Sequence, residues 1–190
     1  MKKDQKVDIM KIKPGEPFMG SSYEMHLVKQ KAAKIMYQIN SSRPEERKML
    51  HETVIPKLFK KLGEHTWFDF PFNCDYGVTT EIGSHCYFNH HLSIGDSGRV
   101  KIGDYVLVGP YVGFYTAQHP LNPKKRKEGW QTVQPITVGN NVWIGANCTI
   151  LGGVKIGNNS VIGAGSLVTK SIPANSLAYG VPCRVIRKLK

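Results

Sequence analysis

His119, in the run TAQHP of this 190-residue chain, stands directly before PLNPKKRKEGWQ at 120–131, a stretch that carries no repeat. An imidazole titrates at about 6.5 in water, so a histidine at the mouth of a loop suits a step that removes a proton from an attacking group near neutrality. The plainer alternative is a histidine that anchors a loop beside a proline. His85 and His90 have an H-x4-H spacing that suggests a metal pair, and with His91 or His119 as third ligand they would leave zinc one open position for water. On residues alone these readings stand side by side.

Other polar residues are similarly open. Asn89, in CYFNHH, has the side chain of a turn residue; Asp75, in NCDYG, and Asp96, in IGDSG, carry carboxylates able to accept hydrogen bonds from hydroxyl groups. The four cysteines, Cys74, Cys86, Cys148 and Cys183, form no CxxC pair and no zinc-finger spacing, which argues against a structural zinc site or a small disulfide scaffold and points to reduced thiols in the cytoplasm.

The formal charge of +12 fits an anionic partner, since no fold requires it, although a bare run of charge is more often a solvated face. Residues 1–66 hold 14 Lys+Arg against 8 Asp+Glu, KKRK spans 124–127, and Arg184, Arg187, Lys188 and Lys190 form a third group. Nucleic acid and a phosphate-bearing cofactor are the candidates, and the chain lacks the aromatics interleaved with charge that a single-strand groove uses. No apolar stretch approaches the roughly 18 residues of a spanning helix. The start, MKKDQKVDIMKIKPGEP, has no apolar h-region, so a soluble, untargeted protein is expected.

What must position these residues is a chain that counts in sixes. Hexads begin at Ile82, Phe88 and Ile94, at Ile102, Val108 and Phe114, and at Val138, Ile144, Ile150, Ile156, Ile162 and Val168. Neither a helix, with period 3.6, nor a half-buried strand, with period 2, repeats in this way, so short strands must be punctuated by regular turns, as in a solenoid. Glycine follows the leading residue in eight of the twelve hexads, and Asn-Asn and Gly-Asp pairs supply residues that tolerate positive φ. Leading and fifth positions are expected to point inward. Two residues are inserted near Asp96–Arg99, and 120–131 interrupts the count altogether; such breaks map to loops, often on a binding face.

Before the hexads, residues 24–40 place Leu27, Val28, Ala32, Ile35, Met36 and Ile39 at helical spacing. Ser42 with Glu45, and Pro44 between them, predicts a second helix start, with an apolar stripe running on to Leu62, a break at Pro56 and an end at Gly63.

The hexads followed by NNVWIG, GAGSLVTKSIP and GVPCRVIRKL, with FNCDYG and TAQHP upstream, resemble the maltose and galactoside O-acetyltransferase group of the hexapeptide-repeat acyltransferases. The likeness covers nearly the whole chain, including YQIN at the end of the first helix. It implies a mainly β protein: a left-handed parallel β-helix over 67–190 with an excursion loop at 120–131, and an N-terminal α-helical segment, 1–66, packed on it. It further implies a homotrimer with active sites between subunits, acetyl-CoA as co-substrate, no metal, no nucleic acid and no membrane partner. By the same resemblance His119 is the general base, and the acetyl group passes directly to a hydroxyl of a sugar or similar small acceptor. Asn89 lies beside the acceptor hydroxyls, with Asp75 and Asp96 on the acceptor side. Backbone around Ala146 and Ala164 lines the pantetheine arm, Trp143 forms part of that wall, and Thr169 with Lys170 and Arg184 with Arg187 approach the phosphates.

The sequence departs from the family at its N-terminal segment, where many relatives have an aspartate and this chain has Gly20, Ser21 and Ser22. Related enzymes acetylate antibiotics, serine or amino sugars, so those acceptors are the first alternative. A carbonic anhydrase class built on the same kind of β-helix holds zinc with three histidines, and a basic binding scaffold is the remaining one.

Overall fold

The leading residue of every hexad is a core residue. In the computed structural model, which describes residues 6–190, all twelve leading side chains from Ile82 to Val168 are at most 2% exposed, and the fifth-position residues are buried with them except Gln118, at the mouth of the excursion. Burial at every sixth residue means that successive short strands turn the chain around a common axis. Parallel strands stack in three sheets, and one residue in each sheet marks the solenoid's pitch: Ile82 pairs with Ile102, Phe88 with Val108, and Ile94 with Phe114. The result is a three-sided prism of about six turns.

The outward-facing residues give each side a different character. On the first, Lys61, Glu81, Lys101, Thr137 and Lys155 lie in register, a charged side that can face water. On the second, Trp67, Tyr87, Leu107, Trp143, Val161 and Leu177 form one apolar stripe. The third carries Asn73, Ser93, Gly113, Thr149 and Leu167, mostly small residues. An antiparallel strand, Cys183–Lys188, caps the apolar side by pairing with Ser176–Gly180.

Corners between the charged and apolar sides are built by a column of residues with positive φ: His65, His85, Tyr105, Asn141, Asn159 and Asn175. The asparagines are in the role expected of them. The histidines and tyrosine are held in the same left-handed conformation with their rings stacked, His65 on His85 at 5.0 Å and His85 on Tyr105 at 4.8 Å. His91 and Tyr111 repeat the device at the corner between the apolar and small-residue sides, 4.6 Å apart. His85 and His90 therefore stand at different corners, and no group of three or more His, Cys, Asp or Glu able to hold a metal occurs among the described residues.

Three expectations need correction. The solenoid begins a coil earlier than the hexad count, because Leu62, Phe68 and Cys74 pair with Ile82, Phe88 and Ile94; its first strand, Lys61–Leu62, lies inside the segment assigned to helices, and Gly63 is a solenoid corner rather than a helix end. The first helix, α1 (Tyr23–Asn40), is capped by Ser22 and buries Met25, Ala32, Met36 and Ile39, but Leu27 is 40% exposed. The second, α2 (Arg47–Thr53), follows a 3-10 turn in which Glu46, not Glu45, accepts the N–H of Arg43 at 2.7 Å, while the Ser42 hydroxyl donates back to Ile39. Pro56 lies in the 3-10 turn Ile55–Lys57 that ends this helix, as its missing N–H requires.

The excursion is also more ordered than a bare loop. It contains a short helix, α3 (Pro123–Lys127), capped by Asn122, and the strand Trp130–Val133. That strand pairs antiparallel with Ala117–Gln118 on one edge and with Phe18–Met19 on the other.

Candidate active site

Both breaks in the hexad count fall at one corner, where the small-residue side turns into the charged side. Thr116 ties them together: its hydroxyl donates to Gly95 O at 2.7 Å and accepts the N–H of Gly98 at 2.8 Å. A second apolar cluster, separate from the prism, forms outside this corner from Val7, Ile9, Phe18, Met25, Tyr76 and Val133. The N-terminal strand, α1 and the excursion are thus welded to one edge of the solenoid, and they enclose a cavity of about 580 Å³.

His119 lines this cavity and is exposed to it. Lys29 of α1 and Asp75 of the solenoid line it too, as an ion pair with Nζ 2.8 Å from Oδ1. The hydrogen bond to Asp75 holds the Lys29 ammonium above the ordinary lysine value, against the opposing pull of partial burial. Gly20 and Gln131 close another wall. A Cβ on Gly20 would come within 2.5 Å of Gln131 Nε2, so the glycine is what lets the Gln131 side chain lie there. A base, a cation–carboxylate pair, amide and hydroxyl groups in a solvent-open hollow can position a small polyol and remove a proton from it.

Asp96 does not join them. It is 0% exposed, and its carboxylate accepts N–H groups of Tyr76 and Gly77 at 2.9 Å each and the hydroxyls of Thr79 and Thr80 at 2.8 Å each. Burial pushes its carboxyl up, while the bonds from Thr80, Tyr76, Thr79 and Cys74 pull it back down. Asp96 is a buried staple for the Tyr76–Thr80 turn that carries the cavity wall; no acceptor reaches it.

Asn89 is not in the cavity either. It stands half-buried at the corner between the apolar and small-residue sides, where its Oδ1 accepts the N–H of His90 at 2.8 Å. The residues expected to meet coenzyme A divide between corners. Ala146 and Ala164 occupy that same corner as Asn89, in a column so tight that a Cβ on Gly109 would come 2.7 Å from Ala146 N and one on Gly145 2.6 Å from Ala164 N. Trp143, 55% exposed, flanks the column on the apolar side. Thr169 and Lys170 follow the last small-residue strand and so share the corner of His119, two coils on, or about 10 Å at ordinary strand spacing. Arg184 and Arg187 are exposed on the capping strand opposite Tyr179 and Leu177.

Sequence reading missed Lys29, Gln131, His26 and Tyr76, all of which line the cavity. Lys29 read as one of many helix lysines, and nothing in its neighbours marked it as the partner of Asp75.

A prism of hexads with its insertions gathered at one edge is a hexapeptide-repeat solenoid, and comparison with known proteins places it among the acyltransferases. Residues 135–170 match the family model for the bacterial transferase hexapeptide (six repeats). The chain is 47% identical over 155 residues to galactoside O-acetyltransferase of Escherichia coli (strain K12), covering 82% of this chain and 76% of that protein. Two solved structures share the fold: a galactoside acetyltransferase in complex with coenzyme A, at TM-score 0.89 and 43% identity over 93% of this chain and 88% of that one, and a maltose O-acetyltransferase from Clostridium difficile 630, at TM-score 0.90 and 34% identity over 93% and 94%. The chain belongs to the maltose and galactoside O-acetyltransferase group of this family. Its prism is the left-handed parallel β-helix of those structures, the hand opposite to most parallel crossovers.

Proposed function

We propose that this enzyme transfers an acetyl group from acetyl-CoA to a hydroxyl of a sugar or similar small polyol, with His119 as general base. The observation that carries the reading is the cavity: an exposed imidazole and the Lys29–Asp75 pair share one hollow at the corner where the hexads are interrupted. Acetyl-CoA brings an acyl group already activated as a thioester. His119 takes the proton of the acceptor hydroxyl as its oxygen attacks and returns it to the departing sulfur, so no acyl-enzyme is needed. Lys29 and Asp75 orient the acceptor through charge-assisted hydrogen bonds. The small-residue column at Ala146 and Ala164 leaves room for a thin pantetheine arm against backbone, and exposed Thr169, Lys170, Arg184 and Arg187 offer donors to phosphates.

The homotrimer belongs to the same proposal. Asn89 and the Ala146–Ala164 column are one corner away from His119 within a chain, across the small-residue side, and the apolar side that leads into the Asn89 corner leaves Leu107 and Trp143 at least half exposed. Packing that side against a neighbour's His119 corner would cover the stripe and unite the two halves of the site. Free, buried thiols at all four cysteines support a reducing, cytoplasmic setting.

Replacing His119 by Ala tests the central assignment. Turnover of acetyl-CoA with a sugar acceptor should fall roughly 10²- to 10⁴-fold, while coenzyme affinity and sedimentation stay those of the wild type. Near-normal turnover removes His119 from the mechanism.

A further inference from the structure

We propose that Arg126 is a positioning residue for His119, and that it alone of the four cations in KKRK acts in the reaction. Its Nη1 donates to the carbonyl of Pro120 at 2.9 Å and to that of Leu121 at 3.2 Å, the two residues that directly follow the imidazole in the chain. The inference rests on the reading of His119 as general base and adds to it what holds the base in place.

His119 depends on its backbone for that support. The residue is exposed, and no hydrogen bond fixes its imidazole among the described residues. On its N-terminal side the chain is secured: Ala117 pairs with Val133 and Gln118 with Thr132, and Val133 is buried in the apolar cluster with Val7, Ile9 and Phe18. That strand stops at Gln118. Beyond it Pro120 has no N–H to donate, Leu121 is 95% exposed, and neither belongs to a helix or strand, so little else on this side keeps the imidazole from swinging about the end of its strand. Among the described contacts, only the Arg126 guanidinium takes up these two carbonyls.

Arg126 is itself held at a fixed station. Asn122 caps α3, its Oδ1 accepting the N–H groups of Lys124 at 2.9 Å and Lys125 at 3.2 Å, and its carbonyl accepts the Arg126 N–H at 3.1 Å. The Arg126 carbonyl in turn accepts the N–H of Gly129 at 3.1 Å, and Gly129, at φ 89°, turns the chain into the strand Trp130–Val133 that pairs back onto Ala117–Gln118. The excursion is thereby closed on both sides of His119, by strand pairing before it and by one guanidinium after it. Lys124, Lys125 and Lys127 stand on the same helix, exposed, and their side chains make no ion pair or hydrogen bond among the described residues. Contact geometry, not charge, singles out the arginine.

A general base works only within hydrogen-bond reach of the proton it removes, and a misplacement of about 1 Å can cost about 10²-fold. The test compares Arg126→Gln and Arg126→Lys with Lys124→Gln, Lys125→Gln and Lys127→Gln, each assayed for coenzyme A release from acetyl-CoA with maltose and with galactose. Both Arg126 variants should lose about 10- to 100-fold in kcat at unchanged acetyl-CoA KM, the lysine variant included, because a compact, strongly hydrated ammonium does not reproduce the reach and planarity of a guanidinium. The three lysine substitutions should leave kcat within about 2-fold of wild type. In a His119→Ala background Arg126→Gln should add at most about 2-fold, since no base remains to be positioned. Wild-type kcat in either Arg126 variant, a loss that falls on acetyl-CoA KM or is shared by the lysine substitutions, or an undiminished further loss in the His119→Ala background overturns the proposal. If His119→Ala turns over normally, or neither sugar is acetylated, the acetyl-transfer reading fails by itself. Amide hydrogen exchange across residues 117–133 then reads the clamp alone: faster exchange in Arg126→Gln but not in the lysine substitutions upholds it, and unchanged exchange sinks it.

Discussion

Lys29 Nζ lies 2.8 Å from Asp75 Oδ1, and this contact joins the first helix to the solenoid in the wall of the His119 cavity. The side chains are 54% and 39% exposed, so the pair contributes no more than about 1 kcal/mol to stability. In the proposed reaction its weight falls on the acceptor. Lys29→Met should raise acceptor KM roughly 3- to 10-fold, the worth of one such hydrogen bond, with acetyl-CoA KM unchanged. Because the folded-state value of Lys29 is raised, its small stabilisation is fully present below the ordinary 10.5 and is lost as pH climbs through the higher folded value. The melting-temperature gap between wild type and Lys29→Met should therefore persist through neutral pH and close only in strong alkali.

Asp96 makes a prediction of opposite kind, about stability. Asp96→Ala strips the acceptors from two backbone N–H groups and two hydroxyls in a site with no water access, and should cost about 3–5 kcal/mol by denaturant unfolding at fixed protomer concentration. Asp96→Asn isolates the charge. With the folded carboxyl raised, the native state holds more protons than the unfolded one between the two values, so stability rises as pH falls through the folded value. The stability advantage of wild type over Asp96→Asn should grow from pH 7 to pH 4; an advantage that shrinks would mean the hydrogen bonds outweigh burial.

The ring-stacked corner predicts a tolerance that side-chain size alone would not. Tyr105 holds φ 57°, a conformation costing about 1–2 kcal/mol for an ordinary residue, and recovers part of it by stacking on His85. Tyr105→Asn gives up the stack but relieves the strain, as Asn141, Asn159 and Asn175 do in the same column, and should change stability by under about 1 kcal/mol. Tyr105→Val loses the stack and puts a β-branched residue in the left-handed region, at a cost of about 1–3 kcal/mol. Equal effects of the two substitutions would show that backbone strain does not govern this corner.

The prism was legible because its core repeats in sequence. Each leading residue is buried by the same residue one coil away, so local spacing and tertiary packing say the same thing. The first coil escaped notice for a physical reason: Leu58, Phe59 and Leu62 satisfy helical spacing while Leu62, Phe68 and Cys74 satisfy the six, and only pairing with Ile82 decides between them. Asp96 misled because a carboxylate between two glycines reads as an exposed turn, whereas its burial is imposed by a turn some twenty residues earlier. Lys29 and Gln131 carry no signal at all, since each acquires its role from a surface that folding alone brings to it.

The proposed division of the site between chains yields the most discriminating experiment. Within one chain His119 and Asn89 occupy different corners of the prism, and only His119 lines the cavity. If an active site takes His119 from one protomer and Asn89 from its neighbour, two inactive variants should rescue each other. His119→Ala and Asn89→Ala chains, each inactive alone, would when co-expressed form mixed trimers in which a site is intact whenever its histidine comes from an Asn89→Ala chain and its asparagine from a His119→Ala chain. Random assembly places about a quarter of all sites in that state, so about a quarter of wild-type activity should return. Sites contained within single chains would return none, because every chain in the mixture carries a defect. Recovery near zero in trimers shown by mass analysis to be mixed would place Asn89 and His119 in the same chain's site, and full activity of Asn89→Ala alone would place Asn89 outside it.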